Sequence, residues 1–185
     1  MLSQFTPEGA NRCLSDLDFI FPRDVYPLGR LDSDSEGLIL LSNDPSMNQA
    51  LLPPDKSHWR QYLAQVEGSI TKEACSILEK GVLISVKGKS YKTLPCRAQL
   101  TEIPNNLLER VPPVRFRQNT PTSWLLLELK EGKNRQVRKM TATAGFPTLR
   151  LIRIAIADLR LEDLVTGEVR ELDRVTLLKK LKIRG

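Results

Sequence analysis

Asp32 and Asp34 lie two residues apart, with Glu36 a further two on and Arg30 two before. The set sits in a polar loop bounded by Gly29 and Gly37, just ahead of the apolar run Leu38-Ile39-Leu40-Leu41. A loop at the rim of a sheet is where catalytic groups concentrate, because the rigid scaffold fixes its ends. A carboxylate beside an arginine stays ionised, which suits a nucleophile. The same residues also fit a plain polar connection whose Asp and Ser side chains cap turns. Paired acids suit glycoside hydrolysis as well, but nothing else resembles a sugar cleft and aromatic residues make up only 5% of the chain.

Other chemistries are harder to build from this sequence. His58 is the one histidine and sits in a polar stretch, so histidine acid/base work and histidine metal sites have a single candidate. Cys13, Cys75 and Cys96 are odd in number and far apart, with no C-x-x-C pair. They read as small buried apolar residues, not as a disulfide or zinc set. No metal site is expected. Chemistry must rest on carboxylates, lysines, hydroxyls or tyrosines.

The net charge of +6 is unevenly placed. Residues 1–129 hold 14 basic and 15 acidic side chains, whereas Lys130 to Arg153 hold seven basic and one acidic. A basic patch concentrated in this way is the electrostatic footprint of a polyanion binder, though a solvated basic face would look the same.

The elements that must position these groups follow from periodicity. Leu38 to Leu41 reads as a buried strand, Ser46 to Leu52 as a short helix, and Trp59 to Val66 as a strand. Thr71 to Lys80 reads as a helix with Thr71 as N-cap and Gly81 as C-cap. Strands and hairpins are expected over Val82–Val86, around Gly88, and over Arg97–Ile103. Pro104 to Thr120 reads as a long irregular surface loop. Ser123 to Lys130 is a strand, Glu131-Gly132-Lys133 a tight turn, and Asn134 the cap of a helix running to about Ala144. Leu149 to Asp158 and Gly167 to Leu172 are further strands. Residues 173–185 form a basic tail, read as a frayed helix, with Lys179, Lys180, Lys182 and Arg184 solvated. The class is α+β: a mostly antiparallel mixed sheet with flanking helices, in a single domain over 1–185.

The loop Gly29-Arg30-Leu31-Asp32-Ser33-Asp34-Ser35-Glu36-Gly37-Leu38 resembles the G-R-L-D-x-D-[ST]-x-G-L signature of pseudouridine synthases. More narrowly it is similar to the small-subunit synthase A group, closest to its large-subunit type E relatives. Arg60-Gln61-Tyr62-Leu63-Ala64-Gln65-Val66 resembles the family's K-x-Y-x-[VA]-x-V strand, with Arg60 in place of the usual Lys. Glu131-Gly132-Lys133-Asn134-Arg135-Gln136-Val137-Arg138-Lys139-Met140 resembles its E-G-[RK]-x-x-Q-V-[RK]-R-M block, with Lys139 replacing a common Arg. The resemblance spans roughly residues 2–172. Relatives usually begin with a strand and a K-P-x-G segment ahead of the residues matching Leu2 to Thr6. Either the start at Met1 is internal or the first family strand is missing, and the small S4-like RNA-binding domain many relatives carry is expected to be absent.

The resemblance implies isomerisation of a uridine in ribosomal RNA, of the large subunit by its type E character. It implies Asp32 as the catalytic nucleophile, Tyr62 packed on the target base, Arg138 paired with the catalytic carboxylate, and Val137 near the base. Arg30, Lys133, Arg135, Gln136 and Lys139 complete the expected substrate-binding set. No cofactor or metal is required. The residues themselves fit this chemistry. Helical spacing puts Val137, Met140 and Ala144 on one buried stripe, with Arg138 one step round, and Arg135 and Arg138 on a shared face. The helix start near Asn134 offers N–H groups to phosphate. The target must leave its stack, so a pocket with a stacking aromatic is expected. Attack at C1′, attack at C6 and assistance to a glycal all stay open. The rivals are a catalytically inert RNA-binding protein of the same fold and an unrelated carboxylate hydrolase. No secretory signal or stretch of ~18 apolar residues is present, so a cytoplasmic monomer with no membrane partner is expected.

Overall fold

Between Thr122 and Leu129 every second residue from Leu125 onward is a leucine. In the computed structural model this segment forms a strand whose Leu125, Leu127 and Leu129 are almost wholly buried. The structure describes residues 1–51, 58–104, 107–114 and 120–183. These form two compact units, Met1–Arg60 with Arg153–Gly185, and Gln61–Ile152. In chain order the elements are β1 (Tyr26–Pro27), β2 (Glu36–Gly37), β3 (Leu41–Ser42), α1 (Pro45–Leu51), β4 (Arg60–Glu67), α2 (Lys72–Glu79), β5 (Leu83–Val86), β6 (Lys89–Lys92), β7 (Arg97–Thr101), β8 (Thr122–Leu129), α3 (Gln136–Thr143), β9 (Thr148–Ile156), β10 (Leu159–Arg160) and α4 (Arg174–Leu181). The architecture is the expected α+β one, and the pairings β1–β3, β5–β6, β7–β8 and β9–β10 are antiparallel.

In the second unit β9, β4, β8 and β7 follow one another in a sheet. Ala64 and Val66 of β4, Ala98 of β7 and the three leucines of β8 share a core with Leu78 of α2 and with Val137 and Met140 of α3. Leu127 is wholly buried there. Cutting it back to Ala would cost about 2–5 kcal/mol, because the neighbours cannot collapse into the space left. Thr71 caps α2 as expected, its side chain accepting from the Ala74 N–H at 3.2 Å, and Gly81 follows the helix at φ 78°. β5 and β6 form a hairpin through Lys87 and Gly88, at φ 51° and 76°. Two successive positive φ values are what a tight hairpin turn needs to match strand twist.

The first unit has its own core, with Leu28, Leu38, Leu40, Met47, Leu51, Ile156, Leu159, Leu178 and Leu181. Three expectations change here. The run Leu38–Leu41 is not one continuous strand. The Leu38 N–H donates to the Arg153 carbonyl at 2.9 Å, while the Leu40 carbonyl accepts from the Leu28 N–H at 2.8 Å. The chain switches partner within three residues, so no single ladder can run through it. Gly167–Leu172 carries no strand; the partner of β9 at this point is β10, reached through a turn with Ala157 at φ 50°. The basic C-terminal segment is not simply solvated either. α4 buries Leu178 and Leu181, is capped by Asp173, and is tied by Arg174 to Asp44 at 3.1 Å. Arg184 and residues 105–106 and 115–119 of the Pro104–Thr120 loop lie outside the described residues, and 107–114 carries neither helix nor strand.

Candidate active site

Asp32 sits in the first unit, in a loop fastened on both sides. After it, Gly37 runs so close to the chain at Arg153 that a Cβ would lie 2.3 Å from the Arg153 carbonyl oxygen. Its φ of 101° is also one that side-chain-bearing residues avoid, so glycine is required. The Arg153 Nε donates to the Leu38 carbonyl at 2.7 Å from a side chain only 4% exposed. Before Asp32, the buried Ser3 hydroxyl clasps Leu31, donating to its carbonyl at 3.1 Å and accepting from its N–H at 3.0 Å. The Asp32 carbonyl accepts from the Ser35 N–H at 2.9 Å, closing a turn. Asp32 is half-buried. Arg30 is exposed, reaching Gln4 at 3.5 Å.

The second unit holds Tyr62, Lys133, Arg135, Gln136, Val137, Arg138 and Lys139. Tyr62 on β4 packs half-buried on the core that contains Val137. The sequence reading placed both near the base, and the strand and helix bring them to one cluster. α3 begins at Gln136, not at Asn134. Its cap is Arg135, at φ 51° and without a side-chain cap bond.

A buried carboxylate braces the helix start through a side chain of its first residue. Glu131, 6% exposed, accepts from the Tyr91 hydroxyl at 2.6 Å, from the Leu94 N–H at 2.8 Å and from the Gln136 amide at 2.7 Å. The Gln136 side-chain amide oxygen Oε1 in turn accepts from the Lys133 backbone N–H at 2.9 Å. These bonds tie the turn to the start of α3 and so fix where α3 presents Arg138. Gln136 is thereby saturated and buried. The Tyr91 hydroxyl is pushed up to about 12, first by the bond to Glu131, then by burial and by the carboxylate's charge. The Lys133 ammonium lies 5.0 Å from the Tyr91 ring centroid.

Arg138 is half-buried, and its Nη1 donates to the Thr148 carbonyl at 3.4 Å. Thr148 is anchored by a 2.7 Å contact between its hydroxyl and that of Thr141. Lys139 reaches Asn134 at 3.4 Å. Of the basic residues between Lys130 and Arg153, Arg150 and Arg153 are buried, so the charge left near solvent lies on the turn and α3. Sequence reasoning missed Ser3, Tyr91 and Glu131. The first two carry no spacing signal, because their partners are 28 and 40 residues away. Among the described residues no group of three His, Cys, Asp or Glu side chains gathers as a metal site would.

Comparison with known proteins bears on this arrangement. A family model described as RNA pseudouridylate synthase matches residues 11–143. A ribosomal large subunit pseudouridine synthase E of Vibrio parahaemolyticus is 44% identical over 92% of this chain and 69% of its own length. One of Xanthomonas axonopodis pv. citri is 41% identical over 89% of this chain and 84% of its own. A crystal structure of a pseudouridylate synthase superposes with a TM-score of 0.69 at 25% identity, over 88% of this chain. The chain spans 63% of that solved protein.

Proposed function

The chain belongs to the RNA pseudouridylate synthase family, and from that premise we propose that it isomerises one uridine of large-subunit ribosomal RNA to pseudouridine, with Asp32 as nucleophile. What carries the reading is the intact set Asp32, Tyr62 and Arg138 in a chain 44% identical to a relative named for this reaction on the ribosomal large subunit. An inert RNA binder has no need of that set.

The reaction breaks the bond from C1′ to N1, turns the uracil, and closes a new bond from C1′ to C5, releasing the C5 proton while N1 takes up one. No electrons enter or leave, so no redox cofactor is needed. Asp32 acts on the sugar or on the base. It is ready to do so because Ser3 and Gly37 hold its loop, which saves the entropy of ordering a carboxylate during the reaction. Arg138 is the residue that the resemblance to the family's third block assigns as the partner of that carboxylate. Tyr62 stacks on the extruded uracil, and Val137 supplies an apolar contact beside it. Arg30, Lys133, Arg135 and Lys139 hold phosphates, while Gln136 acts through the turn it braces. The protein works as a cytoplasmic monomer on its ribosomal RNA.

The test is tritium release from large-subunit ribosomal RNA labelled at uridine C5, followed by mapping of the modified position. Only an isomerase frees that label. Release at a single site supports the proposal, and RNA binding without release refutes it.

A further inference from the structure

Residues 80–101 carry Lys80, Lys87, Lys89, Lys92 and Arg97 and not one acid. Three of these cations belong to the β5–β6 hairpin: Lys87 at the turn, Lys89 and Lys92 on β6, all exposed. Among the described residues none of these three side chains has a hydrogen bond or ion pair. The hairpin is fastened to the turn before α3 at its core side, where Tyr91 bonds Glu131 and lies under the Lys133 ammonium. At the other end of α3, the Thr143 hydroxyl donates to the Leu83 carbonyl at 3.4 Å. Lys89 is two residues from Tyr91 and so lies on the same face of the strand as the ring that Lys133 covers. Glu131, the one acid of that turn, is buried and spends its charge on three donors, so it does not neutralise the surface.

We propose that this hairpin is a second RNA contact, a cationic platform that grips the phosphodiester backbone flanking the target uridine. The inference rests on the function proposed above and extends it to a surface that none of the three motifs includes. The chemistry selects backbone over bases. Lysine is a point charge without arginine's planar fork, and the strand face that carries Lys92, opposite to that of Lys89 and Tyr91, offers no aromatic ring on which a base could stack. Continuity with the turn bearing Lys133 and Arg135 favours RNA over an acidic protein, because one polyanion then meets both sets of charges.

The experiment replaces Lys87, Lys89 and Lys92 together by Gln, and separately by Arg, in the full chain. Binding of a large-subunit ribosomal RNA fragment is measured across a salt series. Each lost phosphate contact removes about 0.7–0.9 from the log–log salt slope. The Gln variant should lose about 2–3 in slope and roughly ten-fold or more in affinity near 0.1 M salt, with the rate at saturating RNA unchanged. The Arg variant should keep both. RNA should also shield the three lysines from acetylation in the parent protein. An unchanged slope, with the lysines acetylated as fast as without RNA, overturns the proposal. So does a Gln variant that binds naked RNA normally and fails only on protein-containing ribosomal particles, which would make the partner a protein. Absence of isomerisation by the parent would instead sink the proposed function, and the slope comparison would still judge the hairpin.

Discussion

The Tyr91 hydroxyl donates a 2.6 Å hydrogen bond to Glu131, joining β6 to the turn that launches α3. Replacing Tyr91 by Phe leaves a buried carboxylate one donor short. The expected loss is about 1–3 kcal/mol, read by urea denaturation. A variant as stable as the parent would show that the bond contributes nothing net.

The same bond predicts an alkaline signature. The Tyr91 proton is held to about 12 in the folded state, above the ordinary 10.0. A raised pKa contributes stability that is complete below pH 10 and is lost as pH rises through about 12, because the unfolded chain gives up the proton first. Phenolate absorbance should therefore show a late step near pH 12 that Tyr91→Phe removes. An early step in its place would contradict the geometry.

Gly37→Ala should disrupt the Asp32 loop. The φ of 101° alone costs about 1–3 kcal/mol for a residue with a Cβ. The 2.3 Å approach to the Arg153 carbonyl adds a clash with backbone that cannot yield cheaply. Lowered thermal stability together with lost turnover is the expected result. A fully stable, fully active variant would mean the loop tolerates a different path.

How much of this was legible in advance differs from element to element. The α2 helix could be read because its start and stop lie within a few residues of each other, in Thr71 and Gly81. Asp32 and the residues of α3 could be read because they belong to contiguous motifs. The β9–β10 turn could not, since Ala157 adopts φ 50° and no Gly or Asn marks it. The seating of α4 was hidden because Lys179, Lys180 and Lys182 are interleaved with the leucines that bury. The expected cap at Asn134 failed because Glu131 and Gln136 already brace the helix start from inside. Ser3 was invisible because a lone serine near a chain end has no pattern, and only the fold brings it to Leu31.

Ser3→Ala should separate positioning from binding. Both bonds to Leu31 vanish, which costs about 1–3 kcal/mol of stability. In the proposed mechanism kcat falls while KM for RNA stays near the parent value, since Ser3 meets no phosphate. Ser3→Thr should restore kcat. A change confined to KM would assign Ser3 to binding instead.

The central claim is that the carboxylate at Asp32 does the chemistry, and Asp32→Asn tests it with almost no change in shape. The measurement is tritium release from C5-labelled large-subunit ribosomal RNA, with affinity for the same RNA followed in parallel. The account predicts no detectable release and an RNA affinity within a few-fold of the parent. Release at the parent's rate would contradict it and move the nucleophile elsewhere.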